Sequence, residues 1–234
     1  MTNDASVSIN KFIAGTGYCS RREADKLLDA GRIQLNGVVA RRGNRVSEGD
    51  TVLLDGKPLA EPPRTRYLAL HKPAGITCTT DRRDKSNIID YLNYPERIFP
   101  VGRLDKASTG LLLLTNDGDI VNKILRVENA HEKEYIVTVD KPINREFLRQ
   151  MAAGVPILGT VTNPCTIEKL GPQRFRIFLT QGLNRQIRRM CEALGYEVRT
   201  LKRVRIMNVR LDDQPVGGLR ELREDELEVL LALL

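Results

Sequence analysis

The sequence predicts an α+β protein in two parts, a small helix-and-hairpin module followed by a larger domain on a mainly antiparallel sheet. Three observations carry this expectation. Helical spacing of apolar residues gives way to two-residue hairpin signals before residue 60. The stretch Glu61-Pro62-Pro63-Arg64-Thr65-Arg66 then has two prolines and no large apolar residue, as a linker would. From Tyr67 onward, short apolar or alternating runs are interspersed with helical periodicity. A chain of 234 residues can bury a core in each of a small and a medium domain.

In the first part, Ile9, Phe12 and Ile13 fall at i, i+3 and i+4, the spacing of a short amphipathic helix that Gly15 and Gly17 break. Ser20 and Glu23 form a capping box that starts a second helix. Its Ala24, Leu27 and Leu28 face inward, Arg21, Arg22 and Lys26 are left outside, and Gly31 ends it. Ile33 and Leu35 then alternate into Asn36-Gly37, and Val52 to Leu54 meets Asp55-Gly56, both strong hairpin signals. Gly15-x-Gly17-x-x-Ser20 is no dinucleotide loop, because a helix precedes it and no βαβ unit follows. These segments place a first domain at residues 1–62, with a linker to about 66, and a second at 67–234.

In the second part, strands are expected at Tyr67 to Leu70, ending in the turn Lys72-Pro73-Ala74-Gly75, along Leu111 to Leu114, at Tyr135 to Val139 and at Arg174 to Thr180. Helices are expected near Asp119 to Leu125, Arg145 to Ala153, Arg185 to Leu194 with Gly195 as its stop, and Glu224 to Leu234.

Composition narrows the function. Hydrophobic content of 41% and charged content of 29% describe a folded, soluble chain, and a formal charge of +7 points to a polyanionic partner. Cys19, Cys78, Cys165 and Cys191 are scattered and the only histidines are His71 and His131, so no zinc-ligand spacing and no disulfide framework appear. Each cysteine is expected as a small core residue in a reducing compartment. No leader pattern and no membrane-length apolar window is present, and a cytoplasmic monomer is expected.

The most informative stretch is Gly102-Arg103-Leu104-Asp105, followed by Lys106-Ala107-Ser108-Thr109-Gly110 and the apolar run. It puts a carboxylate at the lip of a sheet beside a cation, where it either caps the turn or stays ionised and acts on something. Residues 184–205 hold seven Lys or Arg and two Glu, a net of +5 that a helix surface does not need, although a solvated face tolerates it.

This tetrapeptide resembles the catalytic motif of the pseudouridine synthases, which isomerise uridine to its C-glycoside in RNA. Two further motifs of that family are matched by His131-Glu132-Lys133-Glu134-Tyr135 and by Gly182-Leu183-Asn184-Arg185-Gln186-Ile187-Arg188-Arg189-Met190, with Leu201-Lys202-Arg203 following on a strand. Asn10-Lys11-Phe12-Ile13, Cys19-Ser20-Arg21-Arg22-Glu23-Ala24 and Ile33-Gln34-Leu35-Asn36-Gly37 resemble an S4-like RNA-binding domain. The resemblance is to the RsuA/RluB/RluE/RluF branch, and His131-Glu132-Lys133-Glu134-Tyr135, Gly154-Val155-Pro156-Ile157-Leu158-Gly159 and Arg205-Ile206-Met207-Asn208-Val209 point to its RluF type, which acts on large-subunit (23S) ribosomal RNA.

The resemblance implies a division of labour. Asp105 stabilises or bonds to C1′ as uracil departs, or removes a C2′ proton, by the logic of glycoside-cleaving carboxylates. Arg188 is its guanidinium partner, favouring the ionised form. Tyr135 stacks on the flipped base and helps move the C5 proton, Leu201 forms an apolar wall, and Arg103 fills the vacated position or holds a phosphate. RNA contact is implied for Arg103, Leu104 and Lys106, for Arg185, Gln186, Ile187 and Arg188, and for Lys11, Arg21, Arg22 and Lys26. Isomerisation calls for no cofactor and no metal. Small-subunit ribosomal RNA or transfer RNA are the alternative substrates. A non-catalytic S4-type RNA-binding or ribosome-assembly factor is the alternative of another class. An RNA methyltransferase is disfavoured, since no glycine-rich cofactor loop follows a parallel strand.

Overall fold

The structure, a computed structural model, describes residues 6–126 and 130–234. It divides into two compact units, one running to Thr65 with Tyr94–Arg97 and the other comprising Arg66–Asn93 and Ile98–Leu234. In the small unit β1 (Val7–Ser8) leads into α1 (Ile9–Gly15) and α2 (Arg21–Asp29), followed by β2 (Ile33–Leu35), β3 (Val38–Val39), β4 (Arg45–Val46), β5 (Val52–Leu54) and β6 (Lys57–Pro58). The expected capping box is made reciprocally: Ser20 N donates to Glu23 Oε2 at 2.7 Å and Glu23 N to Ser20 Oγ at 3.2 Å. Ile9, Ile13, Ala24, Leu28 and Ile33 are buried together, and each large aliphatic residue among them contributes about 1.5–3 kcal/mol. Asn36 and Asp55 adopt left-handed φ of 52° and 49° ahead of their glycines, so both hairpins turn as the sequence indicates. Their strands join in a four-stranded sheet, β3-β2-β5-β6.

The larger unit comprises β7 (Tyr67–Lys72), α3 (Ile88–Leu92), β8 (Phe99–Val101), β9 (Thr109–Thr115), α4 (Gly118–Leu125), β10 (Lys133–Val139), α5 (Arg145–Ala153), β11 (Pro156–Ile157), β12 (Thr160–Val161), β13 (Thr166–Gly171), β14 (Arg174–Leu179), α6 (Gln186–Ala193), β15 (Val198–Ile206), β16 (Val209–Arg210), β17 (Leu219–Glu221) and α7 (Glu224–Ala232). Its main sheet has nine strands in the order β13-β14-β10-β15-β9-β7-β17, with β8 on β9 and β16 on β15. Among the described residues its strands pair antiparallel throughout, except β9 with β15.

That exception depends on one glycine. Gly110 has φ +110°, and a Cβ there would lie 2.1 Å from the carbonyl oxygen of Arg203, so only glycine lets β15 come this close. The central position of β9 also explains its unbroken apolar run: Leu111 to Leu114 are all buried, with Leu111 and Leu113 against Ile120 and Ile124 of α4 and Leu230 of α7.

Two differences from the sequence expectation have plain causes. β7 continues past Leu70 through Lys72, so the turn begins at Pro73 rather than at the lysine. Strand β13 has no sequence signal, because its Thr-Ile-Glu-Lys-Leu-Gly stretch is mostly exposed and carries no apolar face; it pairs β14 on one side at the end of the sheet.

Candidate active site

The loop between β8 and β9 carries Asp105. Gly102 opens it with φ +74°, Leu104 is buried, and Ser108 N closes a turn onto Asp105 O at 2.9 Å. The turn alternative of the sequence is thus half true: the backbone of Asp105 makes the turn, while its carboxylate remains 30% exposed and faces two guanidinium groups. Arg188 Nε lies 3.6 Å and Arg185 Nη1 3.8 Å from Asp105 Oδ2.

Arg188 is held from three sides. Besides the carboxylate, its Nη2 donates to Ser108 Oγ at 3.2 Å and its Nη1 to Val198 O at 3.3 Å. Burial pushes its pKa down, partly offset by the charge of Asp105. Arg185 sits at the start of α6 in the left-handed region, φ 51°. The helix is fixed there by Gln186, whose amide accepts from Leu183 N at 2.9 Å and donates to Gln181 Oε1 at 3.3 Å.

Beneath the Asp105 loop is a lysine that the sequence pattern places in a turn and gives no role. Lys72 is fully buried, and its Nζ donates to Pro73 O and Ser108 O at 2.8 Å, to Asp105 O at 3.3 Å and to Lys106 O at 3.4 Å. Three of these four carbonyls belong to the loop itself. Cys78, expected as a bland core residue, accepts from Leu104 N at 3.4 Å. These loop partners lie 26 to 36 residues away in sequence, which is why no local pattern announces them.

The loop forms one wall of an open cleft of about 910 Å³. Arg103, Leu104, Asp105, Lys106, Tyr135, Arg185, Gln186, Ile187, Arg188 and Leu201 all line it, so the structure brings together every site residue expected in the second part. Leu104, Gln186 and Ile187 are buried and hold the wall, whereas Arg103, Lys106 and Arg185 are exposed. Lys133 and Arg203, which sit in the motif stretches but receive no role from the sequence, also line it. Among the described lining residues, six are Lys or Arg and only Asp105 is acidic.

A bulge sets which cations face inward. On β10, Glu134 opposes Arg205 and Tyr135 opposes Arg203, leaving Val204 of β15 as an extra residue. The added residue turns Arg203 toward the Tyr135 face and Arg205 toward the Glu134 face, although the two are only two residues apart. Arg205 is there neutralised by Glu132 and Glu134.

In the small unit, Arg21, Arg22 and Lys26 are exposed on α2 and Lys11 is half-buried on α1. Among the described residues no group of three or more His, Cys, Asp or Glu is arranged to hold a metal, and no helix is long and apolar enough to cross a membrane.

A lone carboxylate ringed by cations suits a polyanionic substrate that reacts at a carbon turning electron-poor, the chemistry of an RNA-modifying isomerase. Comparison with known proteins makes that class specific. The RNA pseudouridylate synthase family matches residues 66–193 and the S4 domain residues 7–52. The chain is 55% identical over 237 residues to the dual-specificity RNA pseudouridine synthase RluF of Escherichia coli (strain K12), covering 100% of this chain and 81% of that protein. It is 35% identical to ribosomal large subunit pseudouridine synthase B of Bacillus subtilis (strain 168), covering 96% of each. A crystal structure of a pseudouridylate synthase superposes with a TM-score of 0.70 at 30% identity, covering 96% of this chain and all of that one. The chain therefore belongs to the RNA pseudouridylate synthase family and carries an S4 domain. The expected RluF-type resemblance is borne out, and the non-catalytic alternative is set aside.

Proposed function

We propose that this synthase isomerises a specific uridine of large-subunit (23S) ribosomal RNA, with Asp105 as the reacting carboxylate and without a cofactor. The observation that carries the reading is the isolation of Asp105: it is the single acidic residue among the described lining of a cationic cleft, and two arginines hold its carboxylate. As the N1–C1′ bond opens, oxocarbenium character develops on the ribose, and an anion fixed beside C1′ stabilises or captures it. Arg188 positions that anion, and Tyr135 and Leu201 provide the apolar faces on which a flipped base stacks. The isomerisation neither oxidises nor reduces its substrate, so the reading requires no redox partner.

The ribosomal assignment is supported by the name of the Bacillus relative, and the name of the Escherichia coli relative supports a second RNA target, for which transfer RNA is the class to test. Lys11, Arg21, Arg22 and Lys26 add phosphate contacts from the S4 domain. Mapping pseudouridines in ribosomal and transfer RNA from cells with the gene, without it, and with Asp105→Asn in its place tests all of this. A site in 23S RNA present only with the wild-type gene is expected. A lost site confined to small-subunit RNA would overturn the substrate, and a retained site in the Asp105→Asn cells would overturn the aspartate.

A further inference from the structure

The cleft holds a second polar feature that the aspartate reading leaves without a task. Arg203 is 3% exposed and lines the cleft; its Nε donates to Leu111 O at 2.7 Å, yet its Nη2 is buried with no hydrogen-bond partner among the described residues. A buried, charged donor left unpaired is costly, typically about 1–3 kcal/mol or more. Such a group calls for an explanation, and a ligand oxygen that enters the cleft supplies one.

Its surroundings indicate the partner. Arg203 lies directly opposite Tyr135 across the β10–β15 pair, so the two side chains share a face about 5 Å apart. Lys133 lines the same cleft, with Nζ on His131 O at 3.0 Å, and its pKa is lowered by burial and then by the charge of Arg203. Leu201 and Leu179 supply apolar wall. A planar ring laid on Tyr135 and Leu201 would therefore have its edge against two desolvated cations. What fits is a flat heterocycle with exocyclic oxygens that gain negative charge.

We infer that Arg203, seconded by Lys133, binds a carbonyl oxygen of the target uracil and stabilises it as the departing anion. The inference rests on the function proposed above. When N1–C1′ breaks, its electron pair leaves on uracil and spreads over N1, O2 and O4, while C1′ becomes electron-poor against Asp105. The rotated uracil then forms C5–C1′ with that pair, the C5 proton passes to a base, and N1 takes up a proton, so the product is an isomer. Two opposite charges develop, and the cleft has an anion for one and cations for the other. Arg203 and Lys133 act in the transition state more than in the ground state, because neutral uracil carries far less charge on its oxygens.

The test compares stem-loop RNA carrying uridine or 5-fluorouridine at the target, followed as loss of the target nucleotide in single turnover at saturating RNA. Fluorine stabilises the departing anion, so a residue with that task matters less. Arg203→Met is expected to slow the uridine substrate about 100- to 1,000-fold and the 5-fluorouridine substrate at least tenfold less. An equal loss on both RNAs, or no loss, would overturn the inference, since a merely structural role does not distinguish leaving groups. Should Arg203→Met fail to fold, Lys133→Met decides by the same comparison, expected to give a smaller loss that again shrinks with fluorine. Asp105→Asn run alongside keeps the two claims apart. Inactivity on both RNAs leaves the aspartate reading standing whatever the arginine does, and turnover by Asp105→Asn removes that reading.

Discussion

Replacing Lys72 by methionine separates the stability of this fold from the placement of its carboxylate. Of the four carbonyls that Lys72 Nζ meets, two keep another donor: Ser108 N on Asp105 O at 2.9 Å and Gly75 N on Lys106 O at 2.8 Å. Pro73 O and Ser108 O, both at 2.8 Å, lean on the lysine. Two buried acceptors without partners cost about 2–6 kcal/mol, while deleting a fully buried ammonium returns several kcal/mol of desolvation. These terms oppose each other, so the expected net loss of unfolding free energy is only about 1–3 kcal/mol. Methionine fills nearly the same volume, which limits any cavity contribution. The Asp105 loop, by contrast, loses the tie that joins its three carbonyls to β7. A displacement of about 1 Å at a reacting group can cost about 100-fold in rate, and a loss of that order at saturating RNA is expected. Urea unfolding gives the first quantity and single-turnover kinetics the second. A Lys72→Met protein with the wild-type rate would refute the positioning argument, and a variant that loses rate only in proportion to its unfolded fraction would do the same.

Three other outcomes follow from the structure. Gly110→Ala would put a methyl 2.1 Å from a backbone oxygen at φ +110°, so a loss of about 3 kcal/mol or more is expected, read as a fall in the urea midpoint; a change under about 1 kcal/mol would mean β9 and β15 are not so close. Neutralising Arg21, Arg22 and Lys26 together should weaken RNA binding and flatten its salt slope by up to about 0.7–0.9 log unit for each phosphate left without its cation, with the saturated rate unchanged; unaltered affinity would mean that they form an ordinary solvated helix face. Burial raises the Cys191 thiol to about 12, above its unfolded value, so its share of stability is intact below the unfolded pKa and is lost as pH climbs toward 12. Denaturation measured in steps above about pH 9 should show this decline, and the slope should be shallower in Cys191→Ala.

Much of the fold is legible because it is written locally. The Ser20–Glu23 box, the Asn36-Gly37 and Asp55-Gly56 turns and the Gly195 stop each depend on residues within a few positions of one another, where propensity and hydrogen bonding agree. α5 begins and ends where its periodicity says it should. Short or polar elements are not legible: α3 has five residues, and β13 owes its existence to its neighbour β14 rather than to an apolar face. In the site, Asp105, Tyr135 and Arg188 stand out through motif resemblance, while Lys72 and Arg203 are given no role by it. Their importance comes from burial and from partners 33 to 92 residues away, neither of which a local pattern encodes.

The basic segment shows how far a charge count can mislead. Seven cations between residues 184 and 205 are more than a helix surface needs, and the fold distributes them by strand register and ion pairing rather than gathering them at one place. Arg185 and Arg188 flank Asp105, Arg189 holds the carbonyl of Asn184, Arg199 pairs with Glu197, and Arg205 is neutralised by Glu132 and Glu134. What acts within the cleft is chosen by the pairing of β15 with β10, since in a ladder without the bulge Arg203 and Arg205, two positions apart, would fall on the same face. Two changes that leave net charge untouched separate register from charge. Deleting Val204 makes the ladder regular but keeps Arg203 opposite Tyr135 and Arg205 opposite Glu134, so both arginines hold their faces and turnover should persist. Inserting an alanine between Glu134 and Tyr135 also makes the β10–β15 ladder regular, with the extra residue now bulging against Phe178 and Ile177 of β14, but it brings Arg205 and Glu134 round to the face of Arg203 and sets a carboxylate and a second guanidinium into the cleft. That variant should lose turnover while remaining folded by urea denaturation. Single-turnover rates on the two proteins decide the matter, and equal activity would mean that register does not determine which arginine serves the site.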